Sequence, residues 1–140
     1  MPVVNAYFPN EYKKLKEDFS NYDYAILLLK NDLSSEYGYL GLDTREENIK
    51  EENYYEICGY SKDNVQEEKN AQWKSTGHIF RGSEKELEYK LSTSLGQGGS
   101  PIFYRNESHI YVVGIHIGAK AKKEINVGVR LTKEARKQIN

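Results

Sequence analysis

The chain contains the stretch Leu91-Ser-Thr-Ser-Leu-Gly-Gln-Gly-Gly-Ser-Pro-Ile-Phe103, in which a glycine-rich turn leads into an apolar run. A second apolar run, Val112-Val-Gly-Ile-His-Ile-Gly118, follows after a short polar segment. The three glycines at 96, 98 and 99 leave backbone amides uncovered, so these amides can approach an oxygen closely, as an oxyanion hole requires. The same turn is also typical of a simple tight connection between two strands.

Short β-favouring runs separated by Gly, Asn, Asp and Ser extend from this stretch toward both ends of the chain, a pattern typical of an all-β barrel. Residues 101–104 and 110–116 are predicted to form a hairpin. The other runs predicted as strands are residues 3–7, 24–30, 37–42, 54–60, 72–80, 87–91 and 126–131. Charged segments at 43–53 and 63–70 are predicted to be solvated loops.

Only the tail of the chain is predicted to be helical. Thr132 is placed to cap the helix, Glu134 falls in its first turn, and Ala135 and Ile139 recur four residues apart. No internal repeat, low-complexity tract or Pro/Gly/Ser-rich linker marks a second domain. A short helix is therefore expected to close a single β domain.

Composition limits the classes of partner. With 140 residues and 38% hydrophobic content, the chain can bury one modest core but not a second full one. A net charge of -1 creates no overall attraction to nucleic acid or anionic lipid. The first ten residues lack a signal-peptide pattern, and no apolar run approaches membrane-spanning length. We expect no nucleic acid, no membrane insertion, no cofactor and no metal.

The single cysteine, Cys58, cannot form an internal disulfide, which favours a reducing compartment. Its neighbours, Ile57 and Gly59, indicate a buried strand. A structural thiol is favoured over a reactive one, because no basic or histidine neighbour in the sequence would stabilise a thiolate.

The segment Gly96-Gln-Gly-Gly-Ser-Pro101 resembles the Gly-x-Ser-Gly-Ser-Pro loop of the trypsin-like serine proteases, in particular the glutamyl endopeptidases of staphylococcal type. Downstream, Val113-Gly-Ile-His116 matches the Val-Gly-Ile-His element of these enzymes. The remaining matches, in the same order along the chain, are Tyr22-Asp-Tyr-Ala-Ile-Leu27, Gly59-Tyr60, Gln72-Trp73, Gly77 and the Asn-x-x-Val strand at 126–129.

This resemblance implies one incomplete trypsin-like domain over residues 1–140. Residues 1–45 would be a remnant of the N-terminal barrel, 46–131 the C-terminal barrel and 132–140 the terminal helix. All-β double-barrel domains commonly run to about 200–250 residues, more than this chain has. Strands that normally close a barrel would then present free edges, so a protein partner or a larger assembly is expected to cover them.

The resemblance also implies roles for individual residues. Asp23 corresponds to the aspartate that orients the catalytic histidine, and Gly98 stands at the position of the serine nucleophile. The amides of Gly96 and Gly98 correspond to the oxyanion-hole donors. Thr93 and His116 correspond to the residues that receive the glutamate carboxylate of the substrate, which an imidazole would bind more tightly when protonated. Without the resemblance, His116 on its apolar strand would be interpreted as a core histidine.

Two departures from the family pattern affect function. Gly98 has no oxygen with which to attack a carbonyl. No histidine precedes Asp23 in this sequence, whereas the general base of the family lies ahead of the aspartate. Ser100 is expected to pack in the core and not to replace the nucleophile, and His78 and His109 match nothing catalytic.

Three functional hypotheses follow. The first is a catalytically inactive protease-like protein that serves as a structural or interaction module. The second is a fragment or variant of a glutamyl endopeptidase that residues outside this chain complete. The third is a binding module in which Thr93, His116 and the loop amides hold a glutamate-containing peptide without cutting it.

Overall fold

A computed structural model describes residues 2–14, 20–62, 71–120 and 123–138. The described strands are β1 (Val3–Tyr7), β2 (Ile26–Leu29), β3 (Gly41–Leu42), β4 (Tyr55–Tyr60), β5 (Gln72–Gly77), β6 (Ile79–Gly82), β7 (Glu86–Tyr89), β8 (Pro101–Asn106), β9 (His109–Lys120) and β10 (Ile125–Arg130). The helices are α1 (Asn10–Lys14), α2 (Ser34–Tyr37) and α3 (Lys133–Lys137), with a 3-10 turn at Ser20–Tyr22.

Eight of these strands form one curled sheet. Its order is β5-β4-β8-β9-β10-β7-β6, and β3 pairs with β9 in parallel while the other pairs are antiparallel. Strands β5 and β6 stand at opposite ends of this order, yet only His78 separates them in the sequence. The sheet must therefore curl until its two ends approach each other, and the prediction of an all-β barrel fold is confirmed.

The hairpin predicted from the two apolar runs is present as β8 and β9. Asn106 lies opposite His109, so the turn consists of Glu107 and Ser108. Glu107 adopts φ 48°, which matches the left-handed backbone that two-residue hairpin turns use. Local turn chemistry therefore sets the register of the two central strands of the sheet.

The inner face of the sheet forms the main core. Its fully buried members are Tyr55, Ile57, Ile79, Leu87, Tyr89, Leu91, Ile102 and Val113. They come from strands β4, β6, β7, β8 and β9 and from the segment after β7. The core therefore lies inside the curl, and it includes Leu91 at the start of the loop between β7 and β8.

The segment 43–53 is only partly the solvated loop that its charges predict. Asp43, Thr44 and Asn48 are buried. The Asp43 carboxylate accepts hydrogen bonds from Arg45 and from the Tyr104 hydroxyl, the latter at 2.9 Å, and the Asn48 side-chain amide donates to the Asp43 carbonyl at 2.7 Å. Burial of Asp43 and Asn48 is tolerated here because both side chains have hydrogen-bond partners. The other predicted loop, 63–70, lies outside the described residues.

Several predicted boundaries are corrected. In the predicted strand 37–42 only Gly41–Leu42 is extended, because α2 occupies Ser34–Tyr37 and Gly38 ends it at φ 75°. The predicted strand 72–80 is interrupted at His78. The expectation that only the tail is helical is wrong, since α1 and α2 are also helices.

The tail itself is confirmed as a helix. Thr132 Oγ1 accepts a hydrogen bond from the Ala135 amide at 3.2 Å, as an N-cap does. Ile139 lies outside the described residues. Cys58 is half-buried, with its Sγ 3.6 Å from Gln72 Oε1.

Strands β1 and β2 pair antiparallel with each other as a separate two-stranded sheet. Its apolar side chains are prominent, since Val3, Val4, Leu27 and Leu28 are each about half exposed. A protein partner that covers this sheet stays a prediction. Among the described residues, no helix is long and apolar enough to cross a bilayer.

Candidate functional site

The loop from 90 to 100, between β7 and β8, has a backbone that only its glycines allow. Gly96 adopts φ 96° and Gly99 φ 90°, conformations that strain any residue with a Cβ. The buried side chain of Gln97 holds the loop from inside, because its Oε1 accepts from the Ser94 amide at 2.7 Å and its Nε2 donates to the Trp73 carbonyl at 3.4 Å. The Gln97 side chain therefore links the loop backbone at Ser94 to strand β5 at Trp73.

Two backbone hydrogen bonds tie the loop to β9. The Gly99 amide donates to the His116 carbonyl at 2.8 Å, and the His116 amide donates to the Ser100 carbonyl at 2.9 Å. Ser100 is buried and its Oγ occupies the space beside Gly59, where a Cβ would lie only 1.8 Å from it. The prediction that Ser100 packs is confirmed.

A cavity of about 410 Å³ opens beside this loop. Asp23, Gly98 and His116 all line it, although they come from three separate parts of the chain. The other lining residues are Phe8, Tyr12, Tyr24, Ala25, Gly99, Ile115 and Ile117. Two sequence-predicted site residues, Thr93 and Gly96, are not among its lining residues.

A second cavity of similar size, about 420 Å³, lies near the start of α3. Its lining includes Arg130, whose guanidinium already donates to Asn48, to the Ser83 carbonyl and to the Glu46 carbonyl. The Arg130 guanidinium therefore already links the segments that contain these three residues. The cavity beside the glycine-rich loop is the better candidate site, because three predicted site residues converge on it.

Gly98 lies on the wall of the candidate cavity with an ordinary backbone, since its φ is not among the positive ones. A Cβ at this position would meet the Ile117 carbonyl oxygen at 3.3 Å, which requires a shift of only a few tenths of an ångström. A serine therefore fits here only if the Ile117 carbonyl moves by that amount. Within the described residues, the amides of Gly96 and Gly98 donate to no acceptor.

His116 is the imidazole of the cavity. Its side chain is buried, with 3% of the residue exposed, and its Nδ1 lies 2.7 Å from the Tyr89 hydroxyl. Burial lowers the pKa of His116 below its ordinary value, because the charged imidazolium loses hydration. Burial also raises the pKa of Tyr89. At neutral pH the pair therefore consists of a neutral imidazole and a protonated phenol.

Asp23 is half-buried and stands in the same cavity. In the described part of the chain, the only imidazole that lines this cavity is that of His116. The other two histidines are engaged elsewhere, since His78 Nδ1 lies 2.9 Å from the Asn53 carbonyl and His109 Nδ1 lies 3.1 Å from Ser108 Oγ. No cluster of His, Cys, Asp and Glu suited to a metal ion occurs among the described residues.

Sequence reasoning missed four residues that shape the site, namely Gln97, Tyr89, Phe8 and Tyr12. Gln97 could have been found from the sequence, because it is a polar residue within a glycine-rich turn, where a buried side-chain amide is unusual. Tyr89 gave a weaker signal, namely a tyrosine on an apolar strand whose buried hydroxyl needs a partner. Phe8 and Tyr12 gave none, because only the three-dimensional path of the chain brings them to the cavity.

Comparison with known proteins supports the resemblance seen in the motifs. No protein-family model matches the chain. The glutamyl endopeptidase of Bacillus licheniformis is 29% identical in an alignment of 121 residues, and the match covers 82% of this chain and 37% of that protein. The chain thus spans less than half the length of this relative.

Among solved structures, a Glu endopeptidase in complex with MPD superposes with a TM-score of 0.83 and 24% identity, covering 99% of this chain and 61% of that one. A catalytically inactive tobacco etch virus protease complexed with substrate gives a TM-score of 0.48 and 16% identity, over 71% of this chain and 44% of that one. With its curled antiparallel sheet, the chain has the trypsin-like serine protease fold and is similar to glutamyl endopeptidase over most of its own length.

Proposed function

We propose that this chain is a glutamyl endopeptidase-like interaction module that holds a glutamate-bearing peptide in the cavity of Asp23, Gly98 and His116 without cleaving it. The similarity to the Bacillus licheniformis enzyme supports the ligand class. The shared cavity of these three residues supports the location.

The proposal that the peptide is not cleaved rests on one observation. Residue 98, on the cavity wall, is glycine. Acyl transfer to an enzyme needs a side-chain oxygen or sulfur that attacks the carbonyl, and glycine has neither. The nearby hydroxyl of Ser100 cannot substitute, because Ser100 is buried and packs against Gly59. Binding itself requires no nucleophile.

His116 supplies the recognition of a carboxylate. Its Nδ1 is engaged with Tyr89, so its Nε2 remains to face a ligand. A carboxylate beside an imidazole favours the protonated form. Because burial lowers the pKa of the free His116, we expect affinity for a glutamate side chain to increase as the pH falls and the imidazole of the complex becomes protonated.

A hydrolytic variant or fragment of a glutamyl endopeptidase, completed by residues outside this chain, is the second candidate. Two observations favour it, namely the similarity across 82% of the chain and the room at Gly98 for a serine. Under this alternative the loop keeps a shape suited to catalysis. The two candidates differ in whether a bound glutamyl peptide is cleaved in the cavity or released uncut.

Isothermal titration calorimetry with two peptides that differ only in Glu against Gln tests the proposed binding. We expect the Glu peptide to bind about tenfold more tightly, since one hydrogen bond to a charged group contributes about 1.5 kcal/mol. His116→Gln should abolish the difference. His109→Gln, at the exposed end of the β8–β9 hairpin, is the matched control and should bind as the wild type does. Equal affinities for the two peptides in the wild type would refute the proposal.

A further inference from the structure

We propose that Tyr89 is the positioning residue of the cavity, because it fixes the ring and the tautomer of His116 so that an Nε2–H group faces the ligand. For the identity of its ligand this inference rests on the proposed function. The tautomer itself is a property of the free protein and can be measured without any peptide.

The geometry that brings the two side chains together depends on β10, which lies between their strands. Tyr89 in β7 pairs with Asn126, and His116 in β9 pairs with Gly128. A Cβ at Gly128 would lie 3.1 Å from the Tyr89 hydroxyl and 2.7 Å from the Ile115 carbonyl oxygen. The tyrosine therefore reaches across the sheet over a glycine, and its hydroxyl ends 2.7 Å from His116 Nδ1.

The Tyr89 hydroxyl has one recorded partner within the described residues, His116 Nδ1. Tyr89 is 0% exposed, so its hydroxyl lies away from bulk solvent. If Nδ1 carried the proton and donated to the tyrosine oxygen, the buried hydroxyl proton would be left without an acceptor, which is unfavourable. The phenol therefore donates to Nδ1, and the neutral ring carries its proton on Nε2.

The cavity side of the ring agrees with this assignment. His116 lines the cavity, and its Nε2 has no recorded partner in the described part of the chain. Among the described residues, Nε2 is not one of the fully buried polar side-chain atoms that lack a hydrogen-bond partner. Part of its surface therefore remains accessible from the cavity. A donor of fixed direction in this position suits an oxygen acceptor, such as the carboxylate of a glutamate side chain.

The test is a long-range 1H–15N correlation spectrum of the imidazole rings, recorded on the 15N-labelled chain at a pH where His116 is neutral. We expect the wild type to show a single tautomer with the proton on Nε2. Tyr89→Phe, which keeps the ring and removes only the hydroxyl, should give a mixture of the two tautomers. Tyr55→Phe is the matched control, because its buried hydroxyl bonds to the 48–50 backbone instead, and it should leave His116 unchanged.

A wild-type ring protonated on Nδ1, or a Tyr89→Phe ring that keeps a pure Nε2–H tautomer, would overturn the inference. The wild-type spectrum decides the first point even if Tyr89→Phe does not fold. In calorimetry, Tyr89→Phe should also bind the Glu peptide about threefold to tenfold more weakly, the range for one hydrogen bond. If the tautomers behave as expected but the wild type binds no Glu peptide, the proposed function fails and the positioning role of Tyr89 stands.

Discussion

The Gly99 amide donates a hydrogen bond to the His116 carbonyl at 2.8 Å, and this bond joins the glycine-rich loop to the strand that carries the cavity histidine. The bond from the His116 amide to the Ser100 carbonyl completes the connection. The two bonds therefore fasten the C-terminal end of the loop, next to Gly98 on the cavity wall, to the backbone of His116. Changes to the loop backbone should therefore affect stability as well as binding.

Gly99→Ala should destabilise the protein through backbone strain alone. No atom lies within 4 Å of the added Cβ, but the residue adopts φ 90°. A sparsely populated backbone conformation costs about 1–3 kcal/mol, so we expect the free energy of unfolding in urea to fall by that amount. Gly118→Ala is the control, because its Cβ also meets nothing and its φ is not positive, and it should change stability by about 0.5 kcal/mol or less. Equal effects of the two variants would contradict the strain at Gly99.

His116 should make stability depend on pH in the mildly acidic range. Its pKa is lowered in the folded state, so between that lowered value and 6.5 the unfolded chain binds more protons than the folded one. The stabilisation is therefore fully present above pH 6.5 and is lost as the pH falls through the folded pKa. Urea unfolding at several pH values should show a steeper loss in the wild type than in His116→Gln. Parallel pH profiles of the two proteins would count against a buried neutral His116.

Lys120→Met should destabilise the curled sheet. The Lys120 ammonium lies 2.5 Å from Glu86 Oε1 and 2.9 Å from Glu88 Oε1, and it lowers the pKa of the buried Glu88 carboxyl. After allowing for the partial exposure of Lys120, the loss is about 1–2 kcal/mol of unfolding free energy. Arg81→Met removes a more distant partner of Glu88, at 3.9 Å and with a side chain that is 73% exposed, and should cost about 0.5 kcal/mol or less. The account fails if the arginine variant is the more damaging.

Gly98→Ser should fold and still not react with a serine-directed phosphonate. The added Cβ needs only a small shift at the Ile117 carbonyl, so stability should change little. The serine would have no general base, since His116 is the only imidazole among the described residues that lines the cavity. Its Nδ1 is engaged by Tyr89, and its Nε2 carries the proton in the tautomer proposed above. Intact-mass spectrometry measures the labelling, and Gly98→Ala is the control for reaction elsewhere on the chain. Stoichiometric labelling of the serine variant alone would show that a base is available.

Features that depend on neighbouring residues could be predicted from the sequence. The β8–β9 hairpin and the Thr132 cap follow from turn and capping chemistry within a few residues. The segment 43–53 misled the prediction, because its charges indicated solvent. Its buried polar groups are satisfied by residues that are distant in sequence, such as Tyr104 for Asp43 and Arg130 for Asn48.

The candidate site was predictable only in part for the same reason. The loop glycines and His116 belong to recognisable motifs, and the cavity does bring Gly98 and His116 together with Asp23. The contact between Tyr89 and His116 requires strands β7, β10 and β9 in register, with a glycine between them. No local pattern contains that arrangement, since it arises only when the sheet has formed.

The most direct measurement is mass spectrometry of a glutamate-containing peptide after prolonged incubation with the 140-residue chain, at a concentration where calorimetry shows the peptide bound. Because residue 98 provides no nucleophile, the account predicts that the peptide is recovered intact. Fragments that end in glutamate and accumulate in proportion to the protein would contradict it.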